Sequence, residues 1–282
     1  MNNLAEPPAR ARHSSAAALP SAAAHEPPAT PLYRKLLQLL AAAAFTAVLA
    51  WAWNGAEIRF GELIADRGNM IEYGRAFLQP DFTDYRLFFT EMVVTLQIAL
   101  CGTVLALLAA APCSLLASSN LAPWWLRSPV RRVMDALRSI NEMVFAMIFI
   151  SAVGLGPFAG VLAVFLHNLG VLTKLFSEAV EAIEPGPVEG VRAVGASPLE
   201  EIAFGVIPQV MPHWISAALY RFESNVRSAT VVGIVGAGGI GMLLWDAIRS
   251  FDYARTSAIL LVVIAVVILL DLSSARLRRA FI

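Results

Sequence analysis

Long apolar runs constrain this chain more than any other feature of its sequence. An α-helix rises about 1.5 Å per residue, so about 20 apolar residues in a row can cross the roughly 30 Å of hydrocarbon in a bilayer. Such runs predict membrane-spanning helices and an all-α, polytopic membrane protein. Six runs approach this length, and they cover residues 36–53, 88–117, 133–153, 158–180, 210–235 and 257–272.

The composition indicates that lipid is part of this chain's solvent. Hydrophobic residues make up 58% of it and charged residues 15%, which is too apolar for an ordinary soluble domain. The formal net charge is zero, so we expect no nucleic-acid partner. Cys101 and Cys113 lie in one apolar run about 18 Å apart along a straight helix, and we interpret both as packing residues rather than a disulfide.

The first 31 residues differ from the rest of the chain. They are rich in Ala and Pro and show no apolar periodicity, which is typical of a disordered segment. A cleaved signal peptide would carry its charged and apolar parts nearer the start. We therefore expect a disordered tail at residues 1–31 and a transmembrane domain at residues 32–282, with an uncleaved first span.

The positions of Arg and Lys predict the orientation in the membrane. The segment from Val210 to Trp245 could hold one long crossing or two short crossings that separate near Thr230. With a cytoplasmic tail and six crossings, most basic residues lie on the cytoplasmic side, as the positive-inside rule expects. A seventh crossing would export the cluster of Arg276, Arg278 and Arg279. We predict six crossings, with both termini in the cytoplasm.

The largest predicted cytoplasmic connection, residues 184–208, carries an informative pattern. Pro187 is suited to a helix start, and Val188, Val191 and Val194 follow at helical spacing up to a stop at Gly195. This pattern predicts a short amphipathic helix outside the membrane. It could be a plain connecting helix, or it could dock in a partner's groove, because its small residues permit a close approach of backbones. These small residues are Gly190, Ala193, Gly195 and Ala196.

The connection resembles the coupling motif of ABC importer permeases, in which Glu-Ala-Ala precedes a Gly and then a Leu-Pro. Glu189, Gly195 and Pro208 fall in register with that motif, whereas Gly190, Val191 and Gly205 depart from it. The segments 138–142 (Arg-Ser-Ile-Asn-Glu), 220–227 (Tyr-Arg-Phe-Glu-Ser-Asn-Val-Arg) and 236–241 (Gly-Ala-Gly-Gly-Ile-Gly) are similar to the phosphonate branch of the family. Asn141 stands where that branch has Pro, and we expect it to straighten the start of the third span.

The resemblance implies a permease subunit of a type I importer for phosphonate or a related small phosphorus oxyanion. Two copies would form the pathway, two ATPase subunits would dock on the coupling helices, and a periplasmic binding protein would deliver substrate. Neither Lys35 nor Lys174 lies in a P-loop, so ATP hydrolysis is expected from a separate subunit. The resemblance implies a role in ATPase coupling for Glu189, Gly190, Arg192, Gly195, Ala196 and Ser197.

The fifth span contains charged and polar residues where apolar ones are expected. Each charge costs at least about 2.5 kcal/mol at a bilayer centre, so these residues are expected to face protein or water. Glu223 can pair with Arg227, and Arg221 with Asn225, because each pair is four residues apart on a helix. They could lock helices together, or Arg221 or Arg227 could donate to an anion in the pathway. The candidate pathway residues are Arg221, Glu223, Asn225 and Arg227.

Other polar residues have simpler interpretations. We expect His167 and Asn168 to form hydrogen bonds between helices, and Glu142 to pair with Arg138. The glycine-rich segment 236–241 fits a dinucleotide fingerprint, but no βαβ unit surrounds it, so we expect close packing or a bend of helices there. We predict no catalytic site, metal site or cofactor. The alternatives are an ABC permease for phosphite, a methionine-like solute or another small solute, an ion-coupled secondary transporter, and a membrane-embedded enzyme.

Overall fold

The computed structural model describes residues 32–58 and 60–281, without the side chains of residues 62–64 and 277–281. The tail predicted at residues 1–31 lies outside this part. Regular structure in the described part is helical throughout. The described part of the chain divides into two compact units, one up to Ala65 and one from Asp66 onward.

The first unit contains a long apolar helix and a short one. Helix α1 spans Leu32–Gly55 and α2 spans Phe60–Ala65. With 24 residues, α1 is about 36 Å long and is apolar enough to cross a bilayer. The ring centroids of Trp53 and Phe60 lie 5.8 Å apart.

The second unit contains ten α-helices and two π-helical segments. Helix α10 is flanked by the π-helical segments Glu201–Val206 and Gly233–Ala237, so that one continuous helical stretch covers Pro198–Ala237. The α-helices are α3 (Arg67–Phe77), α4 (Tyr85–Ala117), α5 (Trp124–Ser139), α6 (Glu142–Val153), α7 (Pro157–Glu181), α8 (Pro185–Ala193), α9 (Pro198–Glu200), α10 (Ile207–Val232), α11 (Ile240–Arg249) and α12 (Tyr253–Phe281).

Five helical stretches of the described chain are long and apolar enough to cross a membrane. They confirm five of the six predicted spans, and the fifth span is one helix that continues through Thr230 rather than two short crossings. These stretches are Leu32–Gly55, Tyr85–Ala117, Pro157–Glu181, Pro198–Ala237 and Tyr253–Arg276.

The third span is broken, and its prediction as one helix was wrong. Helices α5 and α6 meet at an angle of 90° and count as a sixth span only as a pair. Ile140 is extended, and the Asn141 side chain accepts a hydrogen bond of 2.9 Å from the Met143 amide. Because Asn is a preferred N-cap, it begins a new helix here instead of straightening the old one.

The core of the second unit lies between α4, α7, α10 and α12. The part of this core near the start of α4 includes Phe88, Met92 and Ile98 of α4, Val226 of α10 and Ile259 of α12. Toward α8, Phe176 stacks on Trp214 with ring centroids 4.5 Å apart. The glycine-rich segment 236–241 joins the fifth span to α11, where the Ile240 amide donates to Thr95 Oγ1 at 2.9 Å. This segment is a junction of helices, as expected.

Candidate functional site

Helix α8 forms at the predicted position in the connection between α7 and α10. It begins at Pro185, two residues before the predicted start at Pro187, and Glu184 precedes it in an extended conformation. Gly195 has a φ of +87°, a backbone conformation that favours glycine, so the predicted stop is confirmed.

The inner side of α8 rests on the π-helical segment Glu201–Val206. A Cβ atom on Gly205 would lie 3.0 Å from the Val188 Cα, so only glycine allows this approach of the two backbones without movement. Gln209 adds a clamp, because its side chain accepts from the Glu184 amide at 3.1 Å and donates to the Gly205 carbonyl at 2.7 Å. Gly205 is a close-packing position that the sequence motif presents only as a departure.

Two of the predicted coupling residues have partners within the chain. Arg192 binds Glu201 through two hydrogen bonds, Nε to Oε1 at 2.9 Å and Nη2 to Oε2 at 2.8 Å. These hydrogen bonds raise the pKa of Arg192 above its ordinary value, so the pair stays charged. Ser197 caps the following turn, with Oγ donating to Glu200 at 2.8 Å. Both residues hold the α8 connection in shape.

The outer side of the connection is exposed and partly apolar. Glu189, Gly190 and Gly195 are exposed, and Ala196 is partly exposed. Val194, Leu199 and Phe204 expose 85%, 78% and 70% of their surface. A groove of about 440 Å³ lies among them, lined by Val191, Val194, Gly195, Ala196, Glu200 and Phe204. An exposed apolar groove of this kind is suited to contact with another protein.

A second depression, of about 360 Å³, lies on the other side of α8. Its lining includes Glu189 and Glu201, and Glu181 from the end of α7. Glu181 also accepts from the Ser119 amide at 2.6 Å and pairs with Arg131, so the turn after α4 is fixed beside α8. Glu181 thereby joins the end of α7 to α5 and to the turn after α4, next to residues 184–208, which we call the α8 platform.

The predicted pathway residues connect α10 to three other helices. Arg221 Nε donates to Asn168 Oδ1 on α7 at 2.7 Å, and Asn225 Nδ2 donates to Thr103 Oγ1 on α4 at 2.7 Å. Arg221 therefore does not pair with Asn225, because both find partners on neighbouring helices. Arg227 pairs with Glu223 at 3.4 Å, as predicted, and lies 3.5 Å from Asp271 on α12.

The break between α5 and α6 is joined to α7. His167 Nδ1 donates to the Ile140 carbonyl at 2.8 Å, and its Nε2 lies 3.6 Å from Glu142 Oε2. The predicted contacts of His167 and Asn168 between helices are confirmed. The predicted pair of Glu142 and Arg138 is wrong, since Arg138 instead donates to Asp135 at 2.9 Å within α5.

In the described ranges 32–58 and 60–281, His, Cys, Asp and Glu do not form a group of three or more that could hold a metal ion. The arrangement is that of a helical membrane bundle with an external platform at α8 and internal polar contacts along α10.

Known proteins are similar to this chain in sequence or in fold. The phosphite transport system permease protein PtxC of Stutzerimonas stutzeri is 42% identical over 205 residues, which cover 72% of this chain and 74% of that protein. A putative cryptic phosphonate transport system permease protein, PhnE2 of Escherichia coli, is 67% identical over 121 residues, covering 43% of this chain and 99% of that protein. The MetNI methionine ABC transporter, solved in inward-facing conformations, matches with a TM-score of 0.64 at 19% identity, over 72% of this chain and 99% of the matched one.

The likeness to solved importers agrees with the all-α, type I importer fold expected from the sequence. A family model described as the binding-protein-dependent transport system inner membrane component matches residues 102–282, which include the α8 platform and the fifth span. The chain therefore belongs to the family of inner-membrane permease components of binding-protein-dependent ABC transport systems.

Proposed function

We propose that this chain forms the translocation pathway of an ATP-driven importer for phosphonate or a related small phosphorus oxyanion such as phosphite. The observation that carries this proposal is the 42% identity to a phosphite permease over 72% of the chain. The high identity of a shorter segment to a phosphonate permease supports the same class of substrate. Phosphonate and phosphite share an anionic, oxygen-rich phosphorus centre, which charged hydrogen-bond donors recognise.

The proposed topology has six crossings of the inner membrane, with α8 and both termini in the cytoplasm. The positive-inside rule supports it, because the basic residues of α5 and of the C-terminal end of α12 then lie near the cytoplasmic side. Residues 32–282 form the permease domain, and residues 1–31 a cytoplasmic tail.

The proposed partners are a second copy of the chain, two ATPase subunits and a periplasmic binding protein. The ATPase would receive α8 in a groove, contacting Glu189, Gly190, Gly195 and Ala196 together with the exposed apolar side chains of the platform. Arg192 and Ser197 would act indirectly, by keeping the platform rigid. Closure of the ATPases on ATP would move the two α8 helices together and switch the pathway between inward-open and outward-open states.

An arginine at position 190 tests both substrate and coupling. A Cβ atom on Gly190 meets nothing within 4 Å, so Gly190→Arg leaves the fold intact but blocks a close-fitting partner. A strain lacking this gene should lose growth on phosphonate or phosphite as sole phosphorus source. Wild type should restore growth and Gly190→Arg should not.

Gly74→Arg on α3 is the matched control, because a Cβ atom there also meets nothing within 4 Å, and it should restore growth. Normal growth of the deletion strain on every phosphorus source would contradict the substrate class. Full complementation by Gly190→Arg would contradict the role of α8.

A further inference from the structure

Helices α7 and α10, which flank α8 in the chain, both present polar side chains on an open face. On α7 these side chains recur at positions 167, 174 and 178, and on α10 at positions 213, 220 and 227, which are spacings of four and seven residues. Such spacing places each set on one side of its helix. We call the set His167, Lys174, Glu178, His213, Tyr220 and Arg227 the polar ladder.

Charged members of the ladder are accessible although they lie on helices apolar enough to cross a membrane. The side chains of Lys174, Glu178 and Arg227 are 38%, 54% and 46% exposed. A charge that faces hydrocarbon is costly, so charged residues in spans usually face water or protein. The ladder is therefore not a lipid-facing surface.

The lipid-facing surface lies elsewhere on the unit. Exposed positions on α4 and α12 include Leu100, Leu108, Leu261, Ile264 and Ile268, all of which are aliphatic. These aliphatic faces suit contact with lipid, and on α12 the aliphatic face ends at Asp271, which is 45% exposed and pairs with Arg227 of the ladder.

Two adjoining grooves follow the ladder along α7. One, of about 460 Å³, includes Gln209 and His213 in its lining, and the other, of about 400 Å³, includes Arg138, His167 and Lys174. Leu175 and Glu178 line both grooves, so they form one channel-like surface. A single chain supplies only one wall of it.

The cations of this surface are held in pairs that an oxyanion can replace. Lys174 Nζ lies 3.1 Å from Glu178 within α7, and Arg138 pairs with Asp135 within α5. Exposed ion pairs of this kind are weak, so an anion can compete with the carboxylate for the cation at little cost. Each cation then offers the charged N–H donors that phosphorus oxyanions bind.

We propose that the polar ladder lines the anion pathway, that the same ladder of a second copy forms the opposite wall, and that Lys174 is a specificity-determining residue for anions. This inference rests on the proposed function and adds its location and selectivity. It differs from an anion site at Arg221, whose guanidinium is partly buried and donates to Asn168.

Thiol accessibility tests the location. The assembled importer would carry Ala at Cys101 and Cys113 and one new cysteine, Val171→Cys beside Lys174 or Tyr220→Cys on α10, and each variant must first retain phosphite uptake. Both cysteines should react severalfold faster with an anionic thiosulfonate reagent than with a cationic one, and phosphite should slow the reaction. Ile264→Cys on the aliphatic face of α12 is the control and should react with neither reagent.

Failure of Val171→Cys and Tyr220→Cys to react, or equal rates with both reagents, would overturn the inference. Either result is compatible with active phosphite import, so the proposed function would survive it. If the wild-type importer carries no phosphorus oxyanion at all, the proposed function itself fails, and uptake by wild type shows this before any cysteine is labelled.

Uptake measurements test the selectivity. Lys174→Gln should reduce phosphite uptake severalfold at unchanged basal ATP hydrolysis, and Lys174→Arg should restore most of it, because a cation returns to the groove. Arg132→Gln, at an exposed position of α5, is the matched control and should transport like wild type. Uptake by Lys174→Gln equal to that of wild type would overturn the role of Lys174.

Discussion

Gly205 shows how one residue determines the position of α8. In the sequence, it is only a departure from the family pattern, because the contact with Val188 joins two helices whose arrangement the motif does not describe. In the structure, it is a position where the backbone of Glu201–Val206 comes close to that of α8. The exposed apolar side chains of Val194 and Phe204 were missed for the same reason, since a motif does not reveal which of its neighbours remain uncovered.

Gly205→Ala should impair the coupling of substrate transport to ATP hydrolysis. The added methyl group must displace the Val188 backbone, and overpacking of this kind costs about 1–3 kcal/mol. We expect a lowered thermal stability and a lower ratio of substrate transported to ATP hydrolysed in the reconstituted importer. Gly186→Ala is the control, because a Cβ atom there meets nothing within 4 Å, and it should match wild type. A wild-type ratio of substrate transported to ATP hydrolysed in Gly205→Ala would contradict the need for glycine where α8 contacts the segment Glu201–Val206.

At the scale of helices, hydropathy was sufficient to predict where five spans run, because each is a continuous apolar helix. Hydropathy could not predict the break in the third span, since a single Asn at position 141 hardly lowers the mean hydropathy of the run. The break also involves His167, which lies 27 residues after Ile140 and donates a hydrogen bond to the Ile140 carbonyl. The partner of Arg221 was missed likewise, because Asn168 is 53 residues away and outside any local spacing rule.

Substitutions at Asn141 should distinguish the contribution of its side-chain cap from that of the extended backbone between α5 and α6. Asn141→Ala removes the hydrogen bond to the Met143 amide, and loss of an N-cap typically costs about 1 kcal/mol. Asn141→Pro also removes it, but Pro fits the φ of −66° at this position and the extended Ile140 before it. We expect thermal unfolding in detergent to rank wild type above Asn141→Pro and Asn141→Pro above Asn141→Ala. A Pro variant less stable than the Ala variant would show that the backbone N–H of Asn141 is needed.

At the scale of the whole chain, the pattern of apolar runs predicts the class of protein but not which faces of the bundle meet lipid, water or partners. The six polar residues of the ladder are scattered over 61 positions of sequence and come together only through the packing of α7 against α10. Within residues 66–282, α3 contacts the start of α12 through Tyr73 and Tyr253, whereas α8 lies beside the end of α4. The bundle thus has an α3 end and an α8 end.

Opposite labelling of these two ends is expected if α8 is cytoplasmic. With Cys101 and Cys113 replaced by Ala and the ATPase subunits left out of the expression strain, Gly190→Cys on α8 should react with a membrane-impermeant maleimide in inside-out vesicles but not in intact spheroplasts. Gly74→Cys on α3 should show the reverse, and both positions are open enough to carry the thiol without movement. Labelling of Gly190→Cys in intact spheroplasts would show that α8 is periplasmic, where it could not contact a cytoplasmic ATPase. Labelling of both positions from the same side would instead contradict the separation of the two ends by the membrane.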